Sequence, residues 1–104
     1  MNKALLDEIV KHIEKLIKQS DESEYVKDAR GSYLKVEYMS NLVAEAKGLI
    51  KYGEFEIALE NMLENLSEVS IFIDEETANL ARQAFGSKIS VKMQKIINSL
   101  VKEY

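Results

Sequence analysis

Apolar residues recur at helical spacing along most of this chain. Leu5, Leu6, Ile9, Val10, Ile13, Leu16 and Ile17 fall on one side of a helix with charges on the other, which predicts an amphipathic helix over residues 3–18. Residues 19–31, QSDESEYVKDARG, lack that period and are expected to form a loop with one helical turn near 25–29. Ser32 is a candidate cap for a second helix over about 33–52, carried by Val36, Met39, Leu42, Val43, Ala46, Leu49 and Ile50. Gly53 sits where a glycine lets the chain leave a helix in a left-handed conformation. A third helix follows at once, over about 54–67, with Phe55, Leu59, Met62, Leu63 and Leu66 on its inner face.

The apolar stretch 70–73, SIFI, is too short for a helix and reads as an extended plug into the core. Asp74 is placed to cap a fourth helix, with Glu75 and Glu76 in its first turn and Ala78, Ala81, Ala84 and Phe85 inside. That helix is expected to end at Gly86. Ile89, Met93, Ile96, Ile97 and Leu100 then predict a last helix over about 90–102. The pattern implies an all-α fold, a compact bundle of four to five amphipathic helices with short connections.

Composition agrees. A length of 104 residues with 46% hydrophobic residues suits one domain over 1–104 with one modest core. There is no proline and there are only four glycines, far less turn punctuation than a β sandwich needs. The chain lacks cysteine, which excludes disulfides, thiolate catalysis and cysteine-ligated metals. No apolar run approaches the ~20 residues of a membrane span, and the N-terminus carries no secretory pattern. The expected location is the cytoplasm.

Charge is distributed unevenly. Residues 1–51 hold nine acids and nine bases, residues 52–81 hold eight acids and no base, and residues 82–104 hold five bases and one acid. The dominant patch is acidic; it would repel phosphate and attract a basic protein, so nucleic acid is not the expected partner.

Catalytic chemistry is thin. The one histidine, His12, lies at the edge of an apolar stripe and reads as structural. No metalloprotease motif, phosphate-cradling glycine loop or nucleophile elbow is present. Glu56 and Glu60 on one open helix face are not a convergent acid–base pair. The calcium-loop spacing and the Glu-x-x-His pattern of di-iron bundles are both missing. The expectation is a non-enzyme with no metal and no cofactor.

The third helix carries Glu56, Glu60, Glu64 and Glu68 at four-residue intervals, with no lysine or arginine between Lys51 and Arg82 to relieve them. Each step rotates about 40° around the axis, so the row spans about 120° roughly opposite the apolar stripe. Like charges at this spacing repel by about 0.2–0.5 kcal/mol per pair. Ile57 falls inside the acidic sector, an aliphatic anchor ringed by carboxylates. One reading is a solvated face that aids solubility, with Lys88, Lys92 and Lys95 able to pair with it. The other is a docking surface, in which a one-signed field is kept at a small cost in stability.

The segment KYGEFEIALENMLENLSEVSIFIDEETANLARQAFG, residues 51–86, resembles the MafI-like immunity proteins of bacterial polymorphic toxin systems, which include helical antitoxins of contact-dependent growth inhibition. The features in common are Gly53-Glu54, Ala58-Leu59-Glu60, Glu64-Asn65-Leu66 with Glu68, the link Ile71-Phe72-Ile73 and the acidic entry to the next helix. They cover about a third of the chain. The resemblance implies a cytoplasmic inhibitor that binds a cognate toxin domain one-to-one. Such toxins are often nucleases with basic clefts, which an acidic helix would occlude. The contact is then expected from Glu56, Glu60, Glu64 and Glu68 with Asp74, Glu75 and Glu76 beside them, Ile57 at the centre, and Tyr52 and Phe72 at the rim. The alternative is a helical adaptor module for some other basic protein.

Overall fold

A computed structural model describes residues 1–101 of the chain. Five α-helices are present among the described residues: α1 (Lys3–Gln19), α2 (Lys35–Lys51), α3 (Phe55–Glu68), α4 (Glu75–Phe85) and α5 (Val91–Leu100). The expected last helix ran to residue 102, which lies outside the described residues. α1 packs on α2 and α4, α3 packs on α2 and α5, and α4 meets α5. The helices thus close into a ring of neighbours around one core, with a radius of gyration of 13.0 Å. Leu6, Ile9 and Ile13 of α1, Met39 of α2, Leu59, Leu63 and Leu66 of α3, and Ile97 of α5 are fully buried at its centre. α4 contributes small residues, Ala78 and Ala81, which allow close approach of its backbone.

The segment expected to be a loop is a β-hairpin. β1 (Tyr25–Asp28) pairs antiparallel with β2 (Gly31–Leu34), from Tyr25 opposite Leu34 to Asp28 opposite Gly31. The expected helical turn at 25–29 does not form, and Ser32 lies within β2 instead of capping α2. The N-cap of α2 is Leu34, which makes no side-chain cap hydrogen bond. The turn is held by Asp28, whose Oδ1 accepts the backbone N–H groups of Arg30 at 2.8 Å and Gly31 at 3.2 Å. Such local side-chain bonding is why Asp favours turns over helix interiors. At the open end Lys35 N–H donates to the carbonyl of Glu24 at 2.8 Å, which fixes the hairpin to the start of α2.

The other helix starts are capped by side chains. Asn2 Oδ1 accepts from Ala4 N–H, Asp74 Oδ1 from Thr77 N–H and Ser90 Oγ from Met93 N–H, at 2.7, 2.7 and 3.1 Å. α3 is the exception, with Glu54 at its N-cap making no side-chain cap bond.

Two helix ends share one backbone device with different residues. After α2, Glu54 N–H reaches back to Leu49 O and Gly53 N–H to Ile50 O, with Gly53 at φ 78°. After α3, Ile71 N–H reaches Leu66 O and Ser70 N–H reaches Ser67 O, with Ser70 at φ 56°. A left-handed residue costs an L side chain about 1–2 kcal/mol, and glycine almost nothing. Ser70→Gly should therefore raise stability by up to about 1 kcal/mol, less than the full strain because glycine also loosens the unfolded chain. Gly53→Ala should lower it by about 1 kcal/mol. No heavy atom lies within 4 Å of a Cβ added at Gly53, so that loss is conformational and not steric. Urea titrations of both variants check the opposite signs.

The link after α3 alternates as an extended segment must. Ile71 and Ile73 are buried and Phe72 between them is exposed. Ile73 N–H donates to Leu100 O at 2.9 Å and pairs in parallel with Val101, which ties the entry of α4 to the end of α5. No helix among the described residues is long and apolar enough to cross a membrane.

Candidate protein interface

The acidic row of α3 begins at the helix's free edge. Ile57 is 54% exposed and Tyr52, at the C-cap of α2, is 80% exposed. Glu56 is exposed, and Glu60 and Glu64 are half-buried. Their crowding has a measurable sign. Glu60 is pushed above the ordinary carboxylate range, first by desolvation, then by a hydrogen bond that its protonated form donates to the Glu56 carboxylate, and by the charges of Glu56 and Glu64. Lys92 of α5 opposes this and pairs with Glu64 at 3.4 Å. Of the three lysines that could neutralise the face, Lys92 alone forms an ion pair within the described residues.

Glu60 therefore carries a testable linkage. Its folded-state pKa lies above its unfolded value, so the folded protein binds the proton more tightly. Stability falls as pH rises from the ordinary value of 4.5 through the raised folded value. Glu60→Gln should stabilise the protein at neutral pH by a few tenths to about 1 kcal/mol, from two like-charge pairs. The gain should vanish below pH 4.5, where Glu60 is protonated in both states. Thermal unfolding across about pH 3.5–7.5 reads this difference.

Glu68 belongs to a different surface. The turn of about 40° per step carries the row round the helix until its last member reaches the α2 side. There it lines a groove of about 570 Å³ between the hairpin, α2 and α3. Tyr33 and Tyr38 form the floor, with ring centroids 5.4 Å apart and planes tilted by 40°. Asp28, Glu37 and Glu45 join Glu68 along the walls, with Arg30 as the single basic residue. The Tyr33 and Tyr38 hydroxyls are both pushed above the usual phenol range, first by desolvation and then by the charge of Asp28; the charge of Glu68 adds to both. The helical stripe reading could not find this groove. Its walls come from segments far apart in the chain, one of them a hairpin read as loop.

Asp74, Glu75 and Glu76 do not extend the α3 row. α4 packs mainly against α1 and α5; Asp74 and Glu75 find their partners within α4, and Glu76 faces α1. Glu75 pairs with Arg82 at 3.2 Å, and Arg82 also donates to Asn98 of α5 at 2.9 Å. Glu76 lies 3.9 Å from Nε2 of His12 on α1, and Glu8 lies 3.7 Å from the same nitrogen. Asp74 is committed to its cap and also accepts the Thr77 hydroxyl at 2.6 Å, which holds its carboxyl below the ordinary range. Phe72, 44% exposed, stands in the link between α3 and α4.

His12 is a packing histidine in this arrangement. Its Nδ1 lies 3.2 Å from Thr77 Oγ1. Thr77 spends its one hydroxyl proton on Asp74, so His12 Nδ1–H is the donor to Thr77. Among the described residues no group of three or more His, Asp or Glu side chains is placed to hold a metal ion. Comparison with protein-family models, curated proteins and solved structures returns no match for this chain.

Proposed function

We propose that this protein is a non-catalytic binding module that docks a basic protein domain, and that it acts as an immunity protein neutralising a cognate bacterial toxin, most simply a nuclease. The carrying observation is the free edge of α3, where Ile57 is 54% exposed beside Glu56, Glu60 and Glu64. Burial first and then the neighbouring carboxylates push Glu60 upward, and among the described residues Lys92 alone pairs with the row. A one-signed row kept at a small cost in stability, with an isoleucine exposed inside it, is what a binding task favours. An apolar anchor within a charged rim is the anatomy of an interface hot spot.

The chemistry suits occlusion of a phosphate-binding cleft. Glutamates at successive helical turns can occupy cationic positions that nucleic-acid phosphates would otherwise fill. The toxin reading rests on the sequence resemblance over residues 51–86, and the basic-partner reading on the surface itself. Co-expression with the product of the gene immediately upstream, where the immunity reading places the toxin, followed by pull-down and a nuclease assay, tests both. A one-to-one complex with suppressed activity supports the immunity reading. A complex that leaves toxin activity intact supports binding alone, and no complex overturns the immunity reading.

A further inference from the structure

The groove between the hairpin, α2 and α3 has an unusual inventory of hydrogen-bonding groups. The groups at its centre, Tyr33, Tyr38 and Asn65, have spent their donors inside the protein and present acceptors. Tyr33 donates its hydroxyl proton to Asp28 Oδ1 at 3.2 Å, and Tyr38 donates to Asn65 O at 3.3 Å. Asn65 uses its amide N–H groups on Asn61, at 2.7 Å to the carbonyl and 3.1 Å to the side chain. What these groups leave for a ligand are phenol oxygens, the Asn65 side-chain oxygen and carboxylates, beside the Ser32 hydroxyl and the Asn41 amide of the lining.

Glu37 and Glu68 make no ion pair or hydrogen bond among the described residues. Asp28 Oδ1 already accepts from Arg30 N–H, Gly31 N–H and the Tyr33 hydroxyl, which leaves its Oδ2 unused. Arg30, the one cation in the lining, forms no ion pair among the described residues; its charge is felt at Tyr33 and Tyr38 but is outnumbered by the carboxylates of Asp28, Glu37, Glu45 and Glu68. Tyr25 stands at the mouth with its ring 65% exposed.

Aromatic faces together with unused carboxylates and acceptor oxygens fit one kind of group best: a planar cation with many donors. We infer that the Tyr25–Tyr33–Tyr38 groove receives an arginine side chain, its guanidinium paired with Glu37 and Glu68 and stacked on a tyrosine ring. A guanidinium offers five N–H donors in a plane, pairs bidentately with carboxylates and stacks on aromatic rings. An ammonium meets the charge but neither the plane nor the fork. The volume of about 570 Å³ is within the range of small-molecule sites, enough for one long side chain with flanking backbone. The partner-docking reading supplies the carrier, a basic loop of the bound protein, and to that extent this inference rests on it. Glu68, at the end of the α3 row, joins the two surfaces.

The test needs no partner protein. Acetyl-Gly-Arg-Gly-amide is titrated into the ¹⁵N-labelled full chain at low ionic strength, beside the matching citrulline and lysine peptides. The arginine peptide should give saturable amide shifts around Tyr25, Ser32, Tyr38 and Asn65, with affinity in the millimolar range. Citrulline, the same shape without charge, should bind about tenfold more weakly or not at all, and lysine should fall between them. Glu37→Gln combined with Glu68→Gln should weaken the arginine peptide by about tenfold, while Glu22→Gln, exposed and outside the groove lining, should leave it unchanged. Both substitutions are on exposed positions, and circular dichroism verifies the fold. Equal binding of citrulline, absence of saturable shifts, or shifts confined to the Glu56–Glu64 edge would overturn the assignment. Toxin capture and groove binding are separate measurements, so failure of either is distinguishable from failure of the other.

Discussion

Reversal of Glu56, Glu60 and Glu64 to lysine is expected to slow association with a basic partner domain by about tenfold to a thousandfold at low ionic strength. The helices should remain intact, because Glu56 is exposed and Glu60 and Glu64 are only half-buried, while Leu59, Met62, Leu63 and Leu66 hold the inner face of α3 in the core. The loss should fall mainly on the association rate, since long-range attraction guides encounter and is screened over about 8 Å at physiological salt. Wild type and variant should therefore converge as salt is raised. Ile57→Ala should act on the other rate. It removes apolar contact from the centre of the patch and should speed dissociation with little change in association. Stopped-flow association and surface-based dissociation, each run at two salt concentrations, separate the two effects. Identical association rates for the triple variant and the wild type at low salt would refute the electrostatic role of this edge.

How much of this could be read from the chain alone depends on the range of each interaction. The helices were legible because each must turn an apolar stripe inward, and Leu59, Met62, Leu63 and Leu66 lie on that stripe and in the core. The exposure of Ile57 followed from the same geometry, since it falls in the carboxylate sector. The hairpin left almost no trace. Its strands are four residues each, only Val26 is buried, and its turn is Ala29-Arg30, without the Asn-Gly or Asp-Gly pair that marks a tight turn. Two facts that decide the electrostatics were inaccessible for another reason. Whether Lys92 meets Glu64, and whether Glu68 faces α2 or α5, depends on which helices become neighbours. A helical wheel orders residues around one axis and is silent about what stands beyond it. Asp74 shows both sides of the matter: its cap was visible from local sequence, but its hydroxyl partner's link to His12 joins positions 65 residues apart.

That link has a stability consequence of its own. Thr77 is fully buried and is the one polar residue in the core among the described residues. Its hydroxyl proton has two possible acceptors, Asp74 Oδ1 at 2.6 Å and, after a change of tautomer, His12 Nδ1 at 3.2 Å. Removing either partner alone leaves the other. His12→Ala should leave the Thr77–Asp74 bond in place. Asp74→Ala loses the helix cap, at about 0.5–2 kcal/mol, and lets Thr77 turn to His12. Removing both strands a buried hydroxyl, which costs about 1–3 kcal/mol beyond the sum of the single effects. Thr77→Val in the double-variant background should recover much of that excess, because the group needing a partner is then gone. The pH dependence follows from Asp74. Its folded-state pKa is lowered, so its contribution is fully present above the unfolded value of 3.8 and is lost as pH falls through the folded value. Asp74→Ala should accordingly flatten the acid limb of the stability curve, while His12→Ala alone should retain it. Urea unfolding of the four-member cycle at neutral and acid pH measures both terms. Strict additivity would mean that the hydroxyl has no need of either partner, and that Asp74 acts as a helix cap and nothing more.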